Sequence, residues 1–344
     1  MTPPGETSNA VVLPNTDGAE VPTRPDQADL TICFAHAAYR LKETFDAGGS
    51  GTPSFSVRTR DELAGRIEEA DVVVVSGLWD NALLAKACRL RFVQSISAGV
   101  NQYDPDAFRA QGVRLASAQG ANERAVAEHA MALILAIARR LPEARDNQAR
   151  RVWRPMQGEF ALREDEIGGK TLLVVGLGRI GGRVARLAKA FDMAVIGIRR
   201  DPAGGLNGAD SVRAITDLPD LLPQADFVVL TCPLTDDTRG LIDARALARM
   251  KPSAHLVNVA RGGCVVEDDL AAALAAGRIA GAALDVTAEE PLSPTSPLWA
   301  MPNVLLTPHT AGETRRYEEN IIALLTENLD RLRRRERELV NQIV

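Results

Sequence analysis

The chain has 344 residues, 46% of them hydrophobic and 25% charged, which is normal for a soluble globular protein and long enough for two domains of ordinary size. A net charge of −5 argues against a general nucleic-acid binder, and the longest apolar run, residues 130–138, is too short to cross a membrane. Cys33, Cys88, Cys232 and Cys264 lack CxxC spacing, and His36, His129, His255 and His309 are scattered; no metal cluster is readable, and free thiols in a reducing cytoplasm are expected.

Residues 1–28 lack the basic start and apolar core of a signal peptide. Pro3, Pro4, Pro14, Pro22 and Pro25 stand there among polar residues, so a disordered tail is expected. Short apolar runs then alternate with helix-like segments. Strands are expected at 30–35, 71–77, 91–97 and 113–118, separated by helical stretches such as RDELAGRIEEA and DNALLAKACRL. Alternation of this kind implies parallel pairing with helices on the faces. This unit ends near residue 121. A long helix follows, capped at Asn122, buried in its middle, and bent or ended by Pro142.

From Thr171 a second alternation offers the strands TLLVVG, AVIGI, DFVVLTC, HLVNVA, AGAALDV and VLLTP, a full nucleotide-binding sheet. The remainder, from residue 318 on, is expected to be helical, its Arg/Glu run a solvated face with i,i+4 pairing. The expected architecture is α/β. A Rossmann-type cofactor domain spans 122–309, and a smaller flavodoxin-like substrate domain is built from both chain ends, 29–121 and 310–344.

Gly176, Gly178 and Gly181 form GxGxxG between a strand and a helix, the context that gives the pattern meaning. Gly176 allows the tight turn, Gly178 lets backbone approach a pyrophosphate, and Gly181 lets helix and strand pack. Arg179 and Ile180 start the helix whose N-terminus attracts phosphates. Eighteen residues beyond Gly181, where an NAD site has a carboxylate, stand Arg199 and Arg200. A guanidinium forks onto a 2′-phosphate that a carboxylate would repel, so NADP(H) is expected in preference to NAD(H). The alternative leaves both arginines in solvent and has Asp201 reach back to the ribose.

Three polar residues follow strands of this sheet: Arg261 in NVARGG, Asp285 in ALDVTAEEPL with Glu290 beyond it, and His309 in LTPH. Together with SAGVN (97–101), AVAEHAMAL, GLGRIG, CPLTDDTRGLI (232–242) and SPLW (296–299), the chain resembles the D-isomer-specific 2-hydroxyacid dehydrogenases, over nearly all of its length after the tail. The resemblance implies hydride transfer between a nicotinamide and C2 of a small 2-oxo or D-2-hydroxy acid. It implies Arg261 as the ligand of the substrate carboxylate and 2-oxo oxygen, His309 as general acid or base, and Glu290 as the partner of its imidazole. Asp285 would contact the nicotinamide amide. The backbone of Ala98, Gly99 and Val100 would hold the substrate carboxylate from the other domain. Cys232, Pro233, Val259 and Ala260 would line the cofactor cleft, with Thr238 and Gly312 as further contacts.

Glu289 is the neighbouring rival to Glu290, His129 is expected to be structural, and Cys264 a packing thiol. Leu78 and Trp79 are expected near the pocket mouth. Glu290 in place of Gln disfavours the formate-oxidising branch. A glyoxylate- or hydroxypyruvate-like acid, cytoplasmic location, a homodimer through the long cofactor-domain helix, and neither nucleic acid nor membrane as partner complete the expectation. The rival from another class is a corepressor-like dinucleotide sensor without turnover.

Overall fold

The computed structural model describes residues 30–344; the expected disordered tail lies outside the described residues. Five short strands, β1 (Ile32–Ala35), β2 (Ser54–Val57), β3 (Val72–Val75), β4 (Phe92–Ser95) and β5 (Arg114–Ala116), make one parallel sheet in the order β2-β1-β3-β4-β5. Helices α1 (Leu41–Ala47), α2 (Arg60–Arg66) and α3 (Pro105–Gln111) connect them. β3 is four valines, all buried. A parallel strand covered on both faces favours such a run.

Two consecutive helices, α4 (Glu123–Ala138) and α5 (Leu141–Ala149), lead to the second sheet. Its strands are β6 (Thr171–Val175), β7 (Ala194–Ile198), β8 (Ser211–Arg213), β9 (Phe227–Leu230), β10 (His255–Asn258), β11 (Gly281–Leu284) and β12 (Val304–Leu306). All are parallel, in the order β12-β11-β10-β9-β6-β7-β8. Helices α6 (Arg179–Ala190), α7 (Leu218–Leu221), α8 (Ala244–Arg249) and α9 (Glu267–Ala275) cover its faces, and α10 (Tyr317–Arg333) follows β12. This is a doubly wound, Rossmann-like α/β architecture.

Side chains of β6 alternate between two cores. Leu172 and Val174 pack with Ala130, Ile134, Val184 and Ala188 of α4 and α6, whereas Leu173 and Val175 face Leu247, Leu256 and Leu270. The first sheet is likewise covered on both faces. Val73 and Val75 pack with Leu63, Trp79 and Phe108, and Val72 and Val74 with Ile321, Leu325 and Leu329 of α10. The chain thus returns after the second sheet to close the first.

Four departures from the sequence reading have local causes. β2 and β8 are edge strands of four and three residues with largely half-exposed side chains, too short and too polar to stand out. The DNALLAKACRL stretch makes a 3-10 turn over Asn81–Ala85 rather than an α-helix. Pro142 neither bends nor ends the long helix. Arg140, at φ 49°, has already broken it, and Pro142 sits in the first turn of α5, where no N–H is needed. The last eleven residues are not helical. Ile343 N–H donates to Leu115 O (2.7 Å) and Leu115 N–H to Val344 O (3.1 Å), so this segment pairs along β5. Among the described residues no helix is long and apolar enough to cross a membrane.

Candidate active site

The order of the second sheet reverses between β6 and β9, and the glycine turn lies at the carboxyl end of β6. A Cβ at Gly176 would stand 2.5 Å from Cys232 N, and one at Gly181 2.3 Å from Gly176 O. Gly176 also takes φ 102°. Both positions therefore exclude any side chain. Nothing lies within 4 Å of a Cβ at Gly178, so the backbone there is open to a ligand at the start of a twelve-residue helix whose first N–H groups lack intrahelical partners. The cradle fits the pyrophosphate of a dinucleotide. The Thr231 hydroxyl donates to Gly176 O (2.8 Å) and locks the turn, while Asn207 donates to Gly178 O (2.7 Å) from the loop after β7.

Arg199, half-buried at the end of β7, donates from Nη1 to Gly204 O (2.8 Å), and Arg200 is exposed. Asp201 caps the next turn by accepting from Ala203 N–H (3.0 Å), which commits one of its oxygens locally. Thr238 is buried, and its hydroxyl donates to Pro233 O (2.6 Å), shaping the loop that leaves Cys232. Arg179 reaches Gln119 O (3.4 Å) in the junction between the sheets.

A cleft of about 250 Å³ lies between the two sheets. Ala98, Ile180, Val259, Arg261, Asp285, His309 and Gly312 all line it. Arg261 heads the turn after β10, and two features of the surrounding chain fix it. The Asn258 side chain donates to Arg261 O (3.0 Å) and accepts from Ala260 N–H (3.0 Å). A Cβ at Gly262 would fall 1.9 Å from Thr287 O, so only glycine lets the two loops touch. The Arg261 guanidinium lies over Gly99, where a Cβ would meet Nη2 at 2.1 Å. The Val100 side chain packs against the core of the first sheet.

His309 takes the left-handed conformation (φ 55°). Its N–H donates to Asp285 O (2.7 Å), and its Nδ1 lies 2.6 Å from Glu290 Oε2. The other Glu290 oxygen accepts from Thr287 N–H (3.2 Å). Glu290, not Glu289, is thus the imidazole's partner. Asp285 is 2% exposed. Its oxygens accept from the Thr307 hydroxyl (2.6 Å) and from Thr310 and Ala311 N–H (3.0 Å each). Since Thr307 gives its only proton to Asp285, His129 Nε2, 3.0 Å away, is the donor to Thr307. This chain of bonds fastens α4 to the loop that carries His309.

Trp79 corrects an expectation. It is 5% exposed in the first sheet's core, against Tyr103 and Phe108, with half-buried Leu78 on the same core. Ser76 and Gly77 line the cleft in their place, with His36, Tyr39, Glu313 and Tyr317. No motif marks these residues. What could have found them is the switch point of the first sheet, since His36 follows β1 and Ser76 follows β3, the strands between which its order reverses. Cys232 and Cys264 pack in the second sheet's core; hydrogen bonding to Cys264 and burial raise the Cys232 thiol far above its ordinary range. Among the described residues no group of three or more His, Cys, Asp or Glu side chains is arranged to hold a metal.

The family model described as the NAD-binding domain of D-isomer specific 2-hydroxyacid dehydrogenase matches residues 131–311. The D-3-phosphoglycerate dehydrogenase of Mycobacterium tuberculosis (strain ATCC 25618 / H37Rv) is 39% identical over 258 residues, 74% of this chain and 48% of that protein. This chain spans about half the length of the relatives so named. The glyoxylate reductase of Aeropyrum pernix is 38% identical over 282 residues, 78% of this chain and 82% of the relative. Among solved structures, the NADPH-dependent glyoxylate/hydroxypyruvate reductase of Sinorhizobium meliloti, in complex with NADP and malonate, is 26% identical with a TM-score of 0.77. The match covers 92% of this chain and 97% of that one.

Proposed function

This chain belongs to the D-isomer specific 2-hydroxyacid dehydrogenase family, and from that premise we propose that it is an NADP(H)-preferring reductase of a small 2-oxo acid of the glyoxylate or hydroxypyruvate kind. The observation that carries the reading is the 2.6 Å contact of His309 Nδ1 with Glu290 in a cleft that also holds Arg261. A carboxylate on Nδ1 fixes the tautomer and stabilises the imidazolium, leaving Nε2 to give a proton to the substrate's C2 oxygen. Arg261 grips the carboxylate with a planar, permanently charged fork. The domains are a cofactor domain of residues 122–309 and a substrate domain of 29–121 with 310–344, and their closure excludes water and presses the 97–100 backbone toward Arg261.

A nicotinamide dinucleotide, when bound, supplies the hydride. Gly176, Gly178, Arg179, Ile180 and Gly181 would hold its pyrophosphate. Arg199 and Arg200 would hold a 2′-phosphate, and Cys232, Pro233, Thr238, Val259, Ala260 and Gly312 would line its path. Asp285 acts in this reading as the residue that fastens the His309 loop, besides facing the nicotinamide end. The preference for NADP(H) is supported by the capped carboxylate of Asp201, which disfavours the ribose-binding alternative.

The test is absorbance at 340 nm with NADPH and with NADH across a panel of 2-oxo acids. Oxidation of NADPH by at least one acid is expected. Arg199→Asp should lower kcat/KM with NADPH by about tenfold or more, while NADH changes little. Equal losses with both cofactors would count against the phosphate clamp. Binding of NADPH without turnover on any acid would favour the sensor.

A further inference from the structure

His36, Tyr39 and Glu313 line the cleft but take no part in the chemistry above. His36 leaves the carboxyl end of β1, and Ser76 and Gly77 leave that of β3. These ends flank the switch point of the first sheet, where an open α/β sheet binds its ligand. The His36 and Tyr39 rings stack with centroids 4.1 Å apart and planes 6° from parallel. His36 Nδ1 accepts from the backbone N–H of Ala38 (3.1 Å) and of Tyr39 (2.7 Å). A nitrogen that accepts carries no proton, so the ring's proton sits on Nε2. Burial lowers the His36 pKa, against Glu318 and with Arg58, and protonating Nδ1 would set it against two N–H groups. His36 is therefore a neutral hydrogen-bond donor.

The Tyr39 hydroxyl donates to Glu313 Oε1 (3.3 Å). Burial and the Glu313 charge push the Tyr39 pKa up to about 12, so this proton stays in place. Glu313 keeps its second carboxylate oxygen as an acceptor. The wall thus offers one donor, one acceptor and one negative charge.

We infer that His36 and Glu313 select a 2-oxo acid whose next carbon bears a free hydroxyl, over both its alkyl and its phosphorylated counterparts. The inference rests on the reductase reading. A hydroxyl accepts from one residue and donates to the other. An alkyl group leaves the half-buried His36 donor without a partner, which costs more than a lost contact because a partly desolvated polar group goes unpaired, while exposed Glu313 returns to solvent. A phosphate meets a carboxylate. The cations on the outer side of this wall do not reverse that. Arg58 Nη1 is committed to Ala37 O (3.2 Å) and Arg60 Nη2 to Gly77 O (3.0 Å), and neither side chain lines the cleft. Arg261, which does, is occupied by the substrate carboxylate. The wall therefore sets this chain apart from the relatives named for a phosphorylated acid.

The experiment is steady-state kinetics of the full chain with NADPH on pyruvate, hydroxypyruvate and 3-phosphohydroxypyruvate. It compares the wild type with His36→Asn, whose Oδ1 can still take the two backbone N–H groups, and Glu313→Gln, which keeps the bond to Tyr39. Preferences are ratios within one preparation, so a partly folded variant does not distort them. In the wild type hydroxypyruvate should lead in kcat/KM by about tenfold. His36→Asn should erase about tenfold of the lead over pyruvate, mainly through KM, and Glu313→Gln should erase as much of the lead over the phosphorylated acid. Ratios within twofold of wild type in both variants, or a wild type that prefers the phosphorylated acid, would overturn the inference while leaving the reductase standing. Absence of turnover on all three acids and on glyoxylate, with NADPH binding intact by fluorescence, would overturn both.

Discussion

The proposed proton-transfer pair, His309 and Glu290, is assembled from loops that no single element carries. Glu290 comes from the long connection after β11, His309 from the turn after β12, and both are tied to Thr287 or Asp285 backbone. His309→Ala should lower kcat by roughly 10²–10⁴-fold with NADPH affinity unchanged in a fluorescence titration. Glu290→Gln should lower it less, since an amide still orients the ring but does not stabilise the imidazolium. Retained turnover in His309→Ala would sink the acid/base assignment. At this scale the motifs were legible because each compresses a contact into adjacent letters. Asn258 and Gly262 in NVARGG are spaced so that the first braces the turn and the second admits Thr287. The reverse holds for His36 and Glu313, which reach one cleft only through the fold. Trp79 shows a further limit: an aromatic residue next to a strand end carries no mark of which face it will turn toward.

Among the elements, β10 contains a strand residue whose titration bears on stability in a testable window. His255 stacks on Phe227 with centroids 5.5 Å apart, and burial lowers its pKa to about 4. The unfolded chain, titrating near 6.5, takes up this proton first. The folded state is therefore favoured above about pH 6.5 and loses that advantage as pH falls toward 4, on the order of 3 kcal/mol in all. His255→Phe should flatten the pH dependence of the denaturant midpoint between pH 7 and 4.5 relative to wild type. An unchanged slope would contradict the burial argument. Central strands such as Val72–Val75 were readable because burial on both faces favours a near-continuous apolar run. The edge strands β2 and β8 follow no such preference. The break at Arg140 left no sequence signal, because arginine has no preference for the left-handed region and its bond to Glu143 (2.7 Å) is a local i,i+3 pair of a kind common inside helices.

For the molecule as a whole, the segment after α5 is the outstanding surface feature. Trp153, Met156 and Phe160 are 97%, 99% and 85% exposed, three large apolar side chains turned to solvent within eight residues. We propose that it joins the face of α4 in a homodimer, the assembly expected from the family resemblance. A Trp153→Ser, Phe160→Ser double variant should sediment at half the wild-type mass at micromolar concentration, and an unchanged dimer would exclude this segment from the interface.

The return of α10 and residues 342–344 to the first sheet has a consequence for biosynthesis. The strands that this helix covers leave the ribosome first, but their lid is translated only after the entire seven-stranded sheet. At about 5–20 residues per second, the roughly 200 intervening residues take on the order of 10–40 s. For that interval Ile32, Phe34, Val72 and Val74 have no cover from α10. Of the two sheets, the one synthesised before the other is therefore the one that matures after it, and its nascent apolar face depends for that interval on whatever shelters an unfinished chain.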